Sequence, residues 1–225
     1  MQATSTESRV DVAFTDSSID LQGLGAGFAD ALTALESEVD VRFARLDQVH
    51  GDTVHVVTQP PTAGPDDDVP TADAQVTDLP GVGLMVRVAD CVPVVLADAD
   101  AGVIGVAHAG RAGTALDVVG RTVAAMRDLG AEQVTAWIGP HVCGRCYEVP
   151  AELREEVSAA VPEAFSETSW GTPALDLGAG VAAQLRRAGV DVVDVATCTL
   201  ETPDLHSYRR DGASAGRFAG LVWRR

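Results

Sequence analysis

The sequence predicts an α+β fold, a single-domain mixed α/β sandwich in which layered β-sheets are flanked by helices. Apolar runs of strand length alternate with helical apolar stripes along the whole chain, which is typical of mixed α and β structure. No change in composition marks a linker and no fixed period repeats, so we expect residues 1–225 to form one domain. With 225 residues, 46% of them hydrophobic, the chain can bury a sizeable core.

The first half of the chain is predicted to consist of strands around one helix. Apolar residues alternate in the half-buried strand 10–14, and they recur at helical spacing from Phe28 to Val39. Proline, glycine and aspartate residues indicate a solvated loop over residues 60–70. The remaining predicted strands of this half are residues 41–46, 53–57, 82–96 and 103–107, the last two buried.

Helices and strands continue to alternate in the second half. A helical stripe from Leu116 to Leu129 ends at Gly130, a residue suited to a helix C-terminus. Pro150 is suited to the start of a second helix, and Asp176 can cap a third helix that stops at Gly189. The predicted strands of this half are residues 134–138, 190–195 and 218–223.

Composition excludes several classes of function. The chain carries 33 acidic residues against 16 arginines and no lysine, so its formal net charge is −17. A protein with this net charge is not expected to bind nucleic acid or anionic membranes. The lack of lysine excludes Schiff-base enzymes, pyridoxal-phosphate enzymes and phosphate-binding P-loops. The polar opening Met1–Ser8, the lack of a membrane-length apolar run and the four cysteines together favour a cytoplasmic protein without a disulfide scaffold.

Three segments place a histidine or a cysteine where an apolar strand ends or bends. They are Gln48-Val-His50-Gly51, Ala89-Asp90-Cys91-Val-Pro93 and Val106-Ala-His108-Ala-Gly110. Two imidazoles and one thiolate would leave the fourth position of a tetrahedral zinc ion open for water or substrate. The pattern alone favours a simpler interpretation, in which His50 and His108 are hydrogen-bonded core or loop residues and Cys91 is a small buried hydrophobic residue.

These and other segments, in the same order, resemble the YfiH family, also called the laccase-domain or purine nucleoside phosphorylase family, which includes the peptidoglycan editing factors. The matching motifs lie between residues 48 and 217 and are Gln48-Val-His-Gly51, Ala72-Asp-Ala74, Ala89-Asp-Cys-Val-Pro93, His108-Ala-Gly110 with Gly113-Thr114, Gly139-Pro140, Cys146-Tyr-Glu-Val149, Asp176-Leu177, Cys198-Thr199 and Ser207-Tyr-Arg-Arg-Asp-Gly212 with Gly216-Arg217. The resemblance implies a YfiH-like sandwich with zinc held by His50, Cys91 and His108. It makes the same three residues catalytic, with copper as an alternative metal.

The activity that the resemblance implies is phosphorolysis of adenosine and inosine to the free base and ribose 1-phosphate. Adenosine deamination and methylthioadenosine phosphorolysis are implied as companion activities. Purine nucleosides and phosphate would then be the small-molecule partners of a monomer or homodimer. Because the chain has no lysine, arginine must supply the positive charge that holds phosphate.

The resemblance also suggests which residues bind substrate, although two family arginines are missing. The family's His-Ala-Gly-Trp-Arg-Gly-Thr reads His108-Ala-Gly-Arg111-Ala112-Gly-Thr114, and its Phe-Ser-Thr-Arg segment with a Gly-Gly turn is reduced to Phe14-Thr-Asp16-Ser-Ser18. These departures leave phosphate binding open. Asp73 and Asp90 are candidates for orienting the metal ligands, and each is equally suited to closing a turn. The candidate substrate-binding residues are Gln48, Arg111, Tyr208, Arg209 and Arg210.

Other cysteine and histidine positions receive simpler interpretations. Cys143-Gly-Arg-Cys146 could be a redox dithiol or half of a zinc knuckle. No second C-x-x-C completes a knuckle, so a packing role is favoured, with Cys143 as a substitution near the family's usual cysteine pair. His141 is interpreted as a loop residue, His55 as a strand residue without a role, and His206 as a ring that packs.

Three other functions use the same residues differently. A four-copper oxidase needs many imidazoles, and the five histidines of the chain are too few. A metal-independent cysteine hydrolase would use Cys91 as a nucleophile activated by His108 or His50. A non-catalytic or peptidoglycan-editing-related protein would bind nucleoside without turning it over. A chelator separates the zinc mechanism from the cysteine hydrolase, because it removes zinc and leaves a thiol nucleophile intact.

Overall fold

The computed structural model describes residues 10–224 except residues 24, 26, 63, 65 and 66. Two β-sheets lie against each other, with helices on the outer side of each, so the predicted α+β sandwich is confirmed. The predictions for Met1–Ser8, and for Pro65 and Asp66 in the solvated loop, fall outside the described residues. No helix in the described ranges is long and apolar enough to cross a membrane.

Twelve strands and six α-helices are present in the described part of the chain. The strands are β1 (Val10–Phe14), β2 (Arg42–Ala44), β3 (Val54–Val56), β4 (Ala74–Thr77), β5 (Val82–Val88), β6 (Val92–Asp98), β7 (Val103–Ala109), β8 (Thr135–Ile138), β9 (Phe165–Glu167), β10 (Pro173–Leu175), β11 (Asp191–Asp194) and β12 (Phe218–Arg224). The helices are α1 (Phe28–Val39), α2 (Arg111–Ala115), α3 (Val118–Asp128), α4 (Ala151–Ala160), α5 (Leu177–Arg187) and α6 (Tyr208–Asp211), with short 3₁₀ helices at Pro162–Ala164 and Gly212–Ser214.

The larger sheet has the strand order β11-β8-β6-β7-β4-β3, and the smaller one has the order β1-β12-β5-β2. Strands β6 and β7 form an antiparallel hairpin at the centre of the larger sheet, and β4 pairs antiparallel with the other edge of β7. A separate two-stranded sheet pairs β9 with β10. The central hairpin is therefore covered on both faces and flanked on both edges.

Alternate residues of the central strands pack in two different cores. In β6, Val94 and Leu96 pack in the core that contains helices α3 and α5, whereas Val95 and Ala97 pack between the two sheets. A third core, with Phe28 as a member, joins α1 to the outer face of the smaller sheet. Burial of both faces explains why β5, β6 and β7 are apolar over most of their length rather than alternating with polar residues.

Two predicted elements are interrupted by residues with positive φ. The run 82–96 is two strands, because Asp90 (φ 83°) lies in a turn between β5 and β6. Helix α3 starts at Val118, after Asp117 (φ 60°), and Leu116 is 49% exposed. The prediction of a core stripe was therefore wrong for Leu116. Asp176 does cap α5, since its side chain accepts a hydrogen bond from the Ala179 N–H at 2.9 Å.

The side chain of Asp98, at the end of β6, is predicted to stabilise the fold through four backbone hydrogen bonds. Its Oδ2 accepts hydrogen bonds from the backbone N–H groups of Glu132 and Gln133 (both 2.7 Å), and its Oδ1 accepts from those of Asp100 and Ala101. In the Asp98→Asn variant the amide nitrogen is itself a donor and cannot accept hydrogen bonds from two of these N–H groups. The free energy of unfolding should therefore fall by about 1–3 kcal/mol. Urea unfolding at neutral pH measures the change.

The effect of Asp98→Asn should depend on pH. Burial alone would raise the pKa of Asp98, but the four backbone hydrogen bonds outweigh burial and hold it below its usual range. The stabilisation is therefore complete above about pH 4 and is lost as the pH falls through the folded-state pKa. The exposed Asp78→Asn serves as a control. Equal stability of the Asp98→Asn variant and the wild type at neutral pH would contradict the prediction.

Candidate metal centre and substrate cavity

The register of the larger sheet brings together the three predicted metal ligands. Cys91 immediately precedes β6, and His108 lies near the end of β7, where it pairs with Pro93. His50 lies in the loop before β3. The ligand atoms of these three residues all lie within 4.8 Å of one another, and the two imidazole rings meet edge to face with centroids 4.7 Å apart.

Asp73 holds two of the three ligands in place. Its fully buried carboxylate accepts hydrogen bonds from His108 Nδ1 and from the backbone N–H of His50, both at 2.8 Å. It also accepts from the backbone N–H groups of Val49 (3.2 Å) and Gly51 (2.6 Å). His50 has a left-handed φ of 63°, which a non-glycine residue adopts at some cost. The hydrogen bonds fix this conformation, and they leave Nε2 of His108 available to a metal.

The electrostatics of the cluster favour a thiolate. Burial alone would raise the pKa of the Cys91 thiol, but the positive charge of His108 and hydrogen bonds from His108 and His50 lower it to about 6. Burial alone would lower the pKa of His108, but the Cys91 thiolate and the Asp73 carboxylate raise it to about 9. The thiolate is the form of cysteine that binds metals and attacks electrophiles.

The donor set fits a zinc ion with one open position. Two imidazole nitrogens and one thiolate sulfur are ligands that zinc prefers, and three protein ligands leave the fourth tetrahedral position for substrate. The backbone beside them has no room for a side chain, since a Cβ at Gly110 would lie 2.7 Å from Cδ2 of His50 and 3.2 Å from Sγ of Cys91. Glycine at this position therefore lets the imidazole and the thiol stand close together.

A cavity of about 1090 Å³ opens at this cluster, and all three candidate ligands line it. Aromatic rings of Phe28, Tyr147 and Tyr208 line it as well, and arginines form much of the remaining wall. The lining arginines are Arg45, Arg87, Arg111, Arg209 and Arg217. Four aspartates also line it, namely Asp47, Asp67, Asp68 and Asp90. Five cations against four anions contrast with the 16 against 33 of the whole chain.

Arg87 lies among other cations in the wall of the cavity. Its guanidinium donates to the carbonyl oxygen of Leu46 at 3.0 Å and lies 5.4 Å from the centre of the Phe28 ring. Burial, together with the positive charges of Arg45 and Arg217, lowers the pKa of Arg87. Cations that repel one another in a partly desolvated cavity are stabilised when an anion binds between them.

Four of the five predicted substrate-binding residues line the cavity. Arg111, Tyr208 and Arg209 line the cavity, and the Arg209 guanidinium lies 5.0 Å from the centre of the Tyr147 ring. Gln48 also lines it, but both ends of its amide are hydrogen-bonded to the backbone of Arg87 at 2.8 Å. The side chain of Gln48 thus ties its loop to β5, and its role in substrate binding stays a prediction.

Arg210 and Asp90 are occupied by structural hydrogen bonds. The Arg210 guanidinium donates to the carbonyl oxygens of Thr199 and Leu205 at 3.0 and 2.7 Å, and Arg210 is not among the residues that line the cavity. The Asp90 carboxylate accepts from the Thr199 hydroxyl and the Arg209 backbone N–H, both at 2.6 Å. Asp90 therefore fixes the start of α6, whereas Asp73 contacts the ligand histidines directly.

Sequence reasoning missed Arg45, Arg87 and Arg217 as cavity residues. A signal existed for Arg87, since it is a charged residue inside an otherwise apolar strand run. Arg217 belonged to a matched motif, but nothing local indicated where its side chain would lie. Arg45 carried no signal of its own, because its place in the cavity depends on how the loop after β2 folds over the smaller sheet.

The fold and this site define an α/β sandwich protein with a candidate three-residue metal centre in an arginine-lined cavity. Residues 27–225 match the family model described as multi-copper polyphenol oxidoreductase laccase. A solved structure, YlmD from Geobacillus stearothermophilus, matches with a TM-score of 0.84 at 27% identity over 100% of this chain and 98% of that one. Protein NMB0706 from Neisseria meningitidis matches with a TM-score of 0.80 at 30% identity over 95% and 93%. The chain belongs to this YfiH, or laccase-like, family.

Curated relatives carry a different functional name. The chain is 54% identical over 181 residues to purine nucleoside phosphorylase ORF3 of Streptomyces griseus, covering 79% of this chain and 72% of that protein. It is 49% identical over 185 residues to purine nucleoside phosphorylase Rv2149c of Mycobacterium tuberculosis, covering 81% and 72%. The family description names several coppers, and copper sites are rich in histidine. In the described ranges only His50 and His108 belong to a ligand cluster, whereas His55, His141 and His206 belong to none.

Asp73→Asn is predicted to weaken metal binding while leaving the three ligands in place. The amide offers one acceptor oxygen where the carboxylate offers two, so His108 or the 49–51 backbone loses a partner. Removing such a supporting group typically lowers metal affinity about 10- to 100-fold. Competition with a chromophoric chelator for Zn²⁺ measures the change. Asp52→Asn, which breaks only a surface ion pair with Arg121, is the control; equal zinc affinities of the two variants would disprove the role of Asp73.

Proposed function

We propose that the protein is a zinc-dependent purine nucleoside phosphorylase that converts adenosine and inosine to free base and ribose 1-phosphate. The observation that carries this proposal is the meeting, in one cavity, of a His/Cys/His ligand cluster and five arginines. Relatives named purine nucleoside phosphorylase at up to 54% identity support it. A purine nucleoside and a phosphate ion fit together in a cavity of about 1090 Å³.

The arginines are proposed to bind and orient phosphate. Guanidinium groups hold phosphate oxygens through paired, charge-assisted hydrogen bonds. Arg87, Arg45 and Arg217 are mutually repulsive without an anion, so phosphate binding relieves their repulsion. Because these cations are fixed by carbonyl oxygens and aromatic rings before substrate arrives, little reorganisation accompanies charge development at the sugar.

The aromatic residues are proposed to hold the purine. Tyr147 and Tyr208 both line the cavity, together with Arg111. Flat rings in a cavity offer stacking surfaces to a purine base. When bound to His50, Cys91 and His108, zinc would supply a Lewis acid beside the substrate. Asp73 would keep the His108 ring in the orientation that this binding needs.

Adenosine deamination and methylthioadenosine phosphorolysis are proposed as companion activities of the same cavity. The first needs no phosphate and releases ammonia from adenosine, whereas the second needs phosphate and converts methylthioadenosine to adenine and 5-methylthioribose 1-phosphate. Ammonia release from adenosine therefore measures the first activity, and phosphate-dependent release of adenine from methylthioadenosine measures the second. A metal-independent hydrolase is favoured by one observation, the lowered pKa of Cys91, and it predicts activity that survives metal removal.

Zinc-loaded protein incubated with adenosine or inosine is expected to release free base only when phosphate is present. Ribose 1-phosphate should appear in equal amount, and both products should disappear in the Cys91→Ala and His108→Ala variants and after treatment with a chelator. Chromatography of the base and an enzymatic assay of the sugar phosphate measure the reaction. Release of base without phosphate, or full activity in metal-free protein, would contradict the proposal.

Arg87→Gln and Arg209→Gln are predicted to raise the KM for phosphate. Losing a charge-assisted hydrogen bond of about 1.5–3 kcal/mol corresponds to an increase of roughly 10- to 100-fold. The KM for nucleoside should change much less, at least for Arg87. Steady-state kinetics with each substrate varied in turn give both constants. Arg186→Gln, on the exposed face of α5, is the control. Unchanged KM values for phosphate in both cavity variants would rule out Arg87 and Arg209 as phosphate-binding residues.

A further inference from the structure

A second group of metal-binding side chains lies outside the His50, Cys91 and His108 cluster. It consists of Cys143, Cys146, Cys198 and Glu201, whose ligand atoms all lie within 4.8 Å of one another. Cys146 is buried, Cys143 and Cys198 are half-buried, and Glu201 is exposed. The C-x-x-C of the sequence therefore does not stand alone, because the fold supplies a third thiol from a distant segment.

A tight turn after β8 brings the first two thiols together. The backbone N–H groups of Cys146 and Tyr147 both donate to the carbonyl oxygen of Cys143, at 2.9 and 3.0 Å. This closes residues 143–146 into a turn with both cysteines at its ends. C-x-x-C turns supply pairs of ligands to structural zinc sites.

The segment after β11 brings the third thiol against this turn. Cys198 forms a parallel β-bridge with His141. The His141 N–H donates to the Thr197 carbonyl at 3.2 Å, and the Thr199 N–H donates to the His141 carbonyl at 3.1 Å. The Cys198 sulfur also accepts the backbone N–H of Cys143 at 3.5 Å.

We propose that Cys143, Cys146 and Cys198 bind a structural zinc ion, with the carboxylate of Glu201 as the fourth ligand. Thiolate-rich sets select zinc among the common divalent ions, and four protein ligands make a closed site. Zinc–sulfur bonds of about 2.3 Å imply sulfur separations of about 3.8 Å, which the present spacing reaches with small side-chain adjustments. A disulfide between Cys143 and Cys146 would use two of the thiols and leave Cys198 and Glu201 without a function.

The ion would hold together two segments that lie next to the cavity. Tyr147, next to Cys146, lines the cavity and lies beneath Arg209. Thr199, next to Cys198, donates its hydroxyl hydrogen bond to Asp90, the neighbour of Cys91. The site thus stabilises the substrate cavity without contacting substrate. It is chemically distinct from the open His/Cys/His centre, and its existence does not depend on the proposed reaction.

Metal content of the full chain, purified without a histidine tag and under reducing conditions, tests the proposal. The wild type should bind two equivalents of Zn²⁺ or Co²⁺. Cys91→Ser should retain one equivalent, with the strong thiolate-to-cobalt absorption of three sulfur ligands. Cys198→Ser should also retain one equivalent, with the weaker absorption of the single Cys91 thiolate. Cys91→Ser protein has three thiols, and stoichiometric Zn²⁺ should protect all three from an aromatic disulfide reagent.

Glu201→Gln provides a variant at an exposed position that should not disturb folding. Even supporting groups around a metal change affinity by about 10-fold, so loss of this ligand should weaken Zn²⁺ binding by at least about that factor. Glu155→Gln, exposed on α4, is the matched control. Cys91→Ser protein that binds no Zn²⁺, Cys91→Ser thiols that stay fully reactive with Zn²⁺, or a native Cys143–Cys146 disulfide found by mass spectrometry would overturn the proposal. A single wild-type equivalent that is retained in Cys91→Ser and lost in Cys198→Ser would support it and count against the His/Cys/His centre.

Discussion

The register of β4, β7 and β6 is the constraint on which the site depends. Asp73 stands one residue before β4, Cys91 stands one residue before β6, and His108 lies near the end of β7, so the ladder delivers all three to the same end of the sheet. A slip of one residue would turn His108 to the opposite face. Both faces of these strands are packed in different cores, and such a slip would also exchange the residues of the two cores. The hydrophobic pattern that stabilises the fold therefore also fixes the ligand geometry.

The charge of the cavity differs in sign from the charge of the whole chain. A chain with net charge −17 repels phosphate at long range, and at physiological ionic strength this repulsion is screened over about 8 Å. Within the cavity the local balance is reversed by five arginines. Phenylalanine and tyrosine rings and backbone carbonyl oxygens, rather than carboxylates alone, hold several of these cations. Such partners fix a guanidinium without neutralising it, so its charge remains available to an anion.

The layered sheets and the ligand motifs could be predicted from sequence, because both depend on short patterns. Continuous apolar runs predicted β6 and β7, and the resemblance implied the ligand roles of His50, Cys91 and His108. The turn at Asp90 has a positive φ that its apolar flanks do not reveal. The hydrogen bonds of Gln48 to Arg87 and the approach of Cys198 to the C-x-x-C turn join segments far apart in the chain. No local pattern encodes such pairings, which arise only when the sheets pack.

We propose that one cavity holds a metal at the His/Cys/His cluster and phosphate at the arginines beside it. Crystals of zinc-loaded protein grown with phosphate, with diffraction recorded on both sides of the zinc absorption edge, would locate both. We expect an anomalous peak bonded to His50, Cys91 and His108, with phosphate on at least two of Arg45, Arg87, Arg111, Arg209 and Arg217. A cluster without zinc in metal-saturated protein, or phosphate bound only outside the cavity, would contradict it.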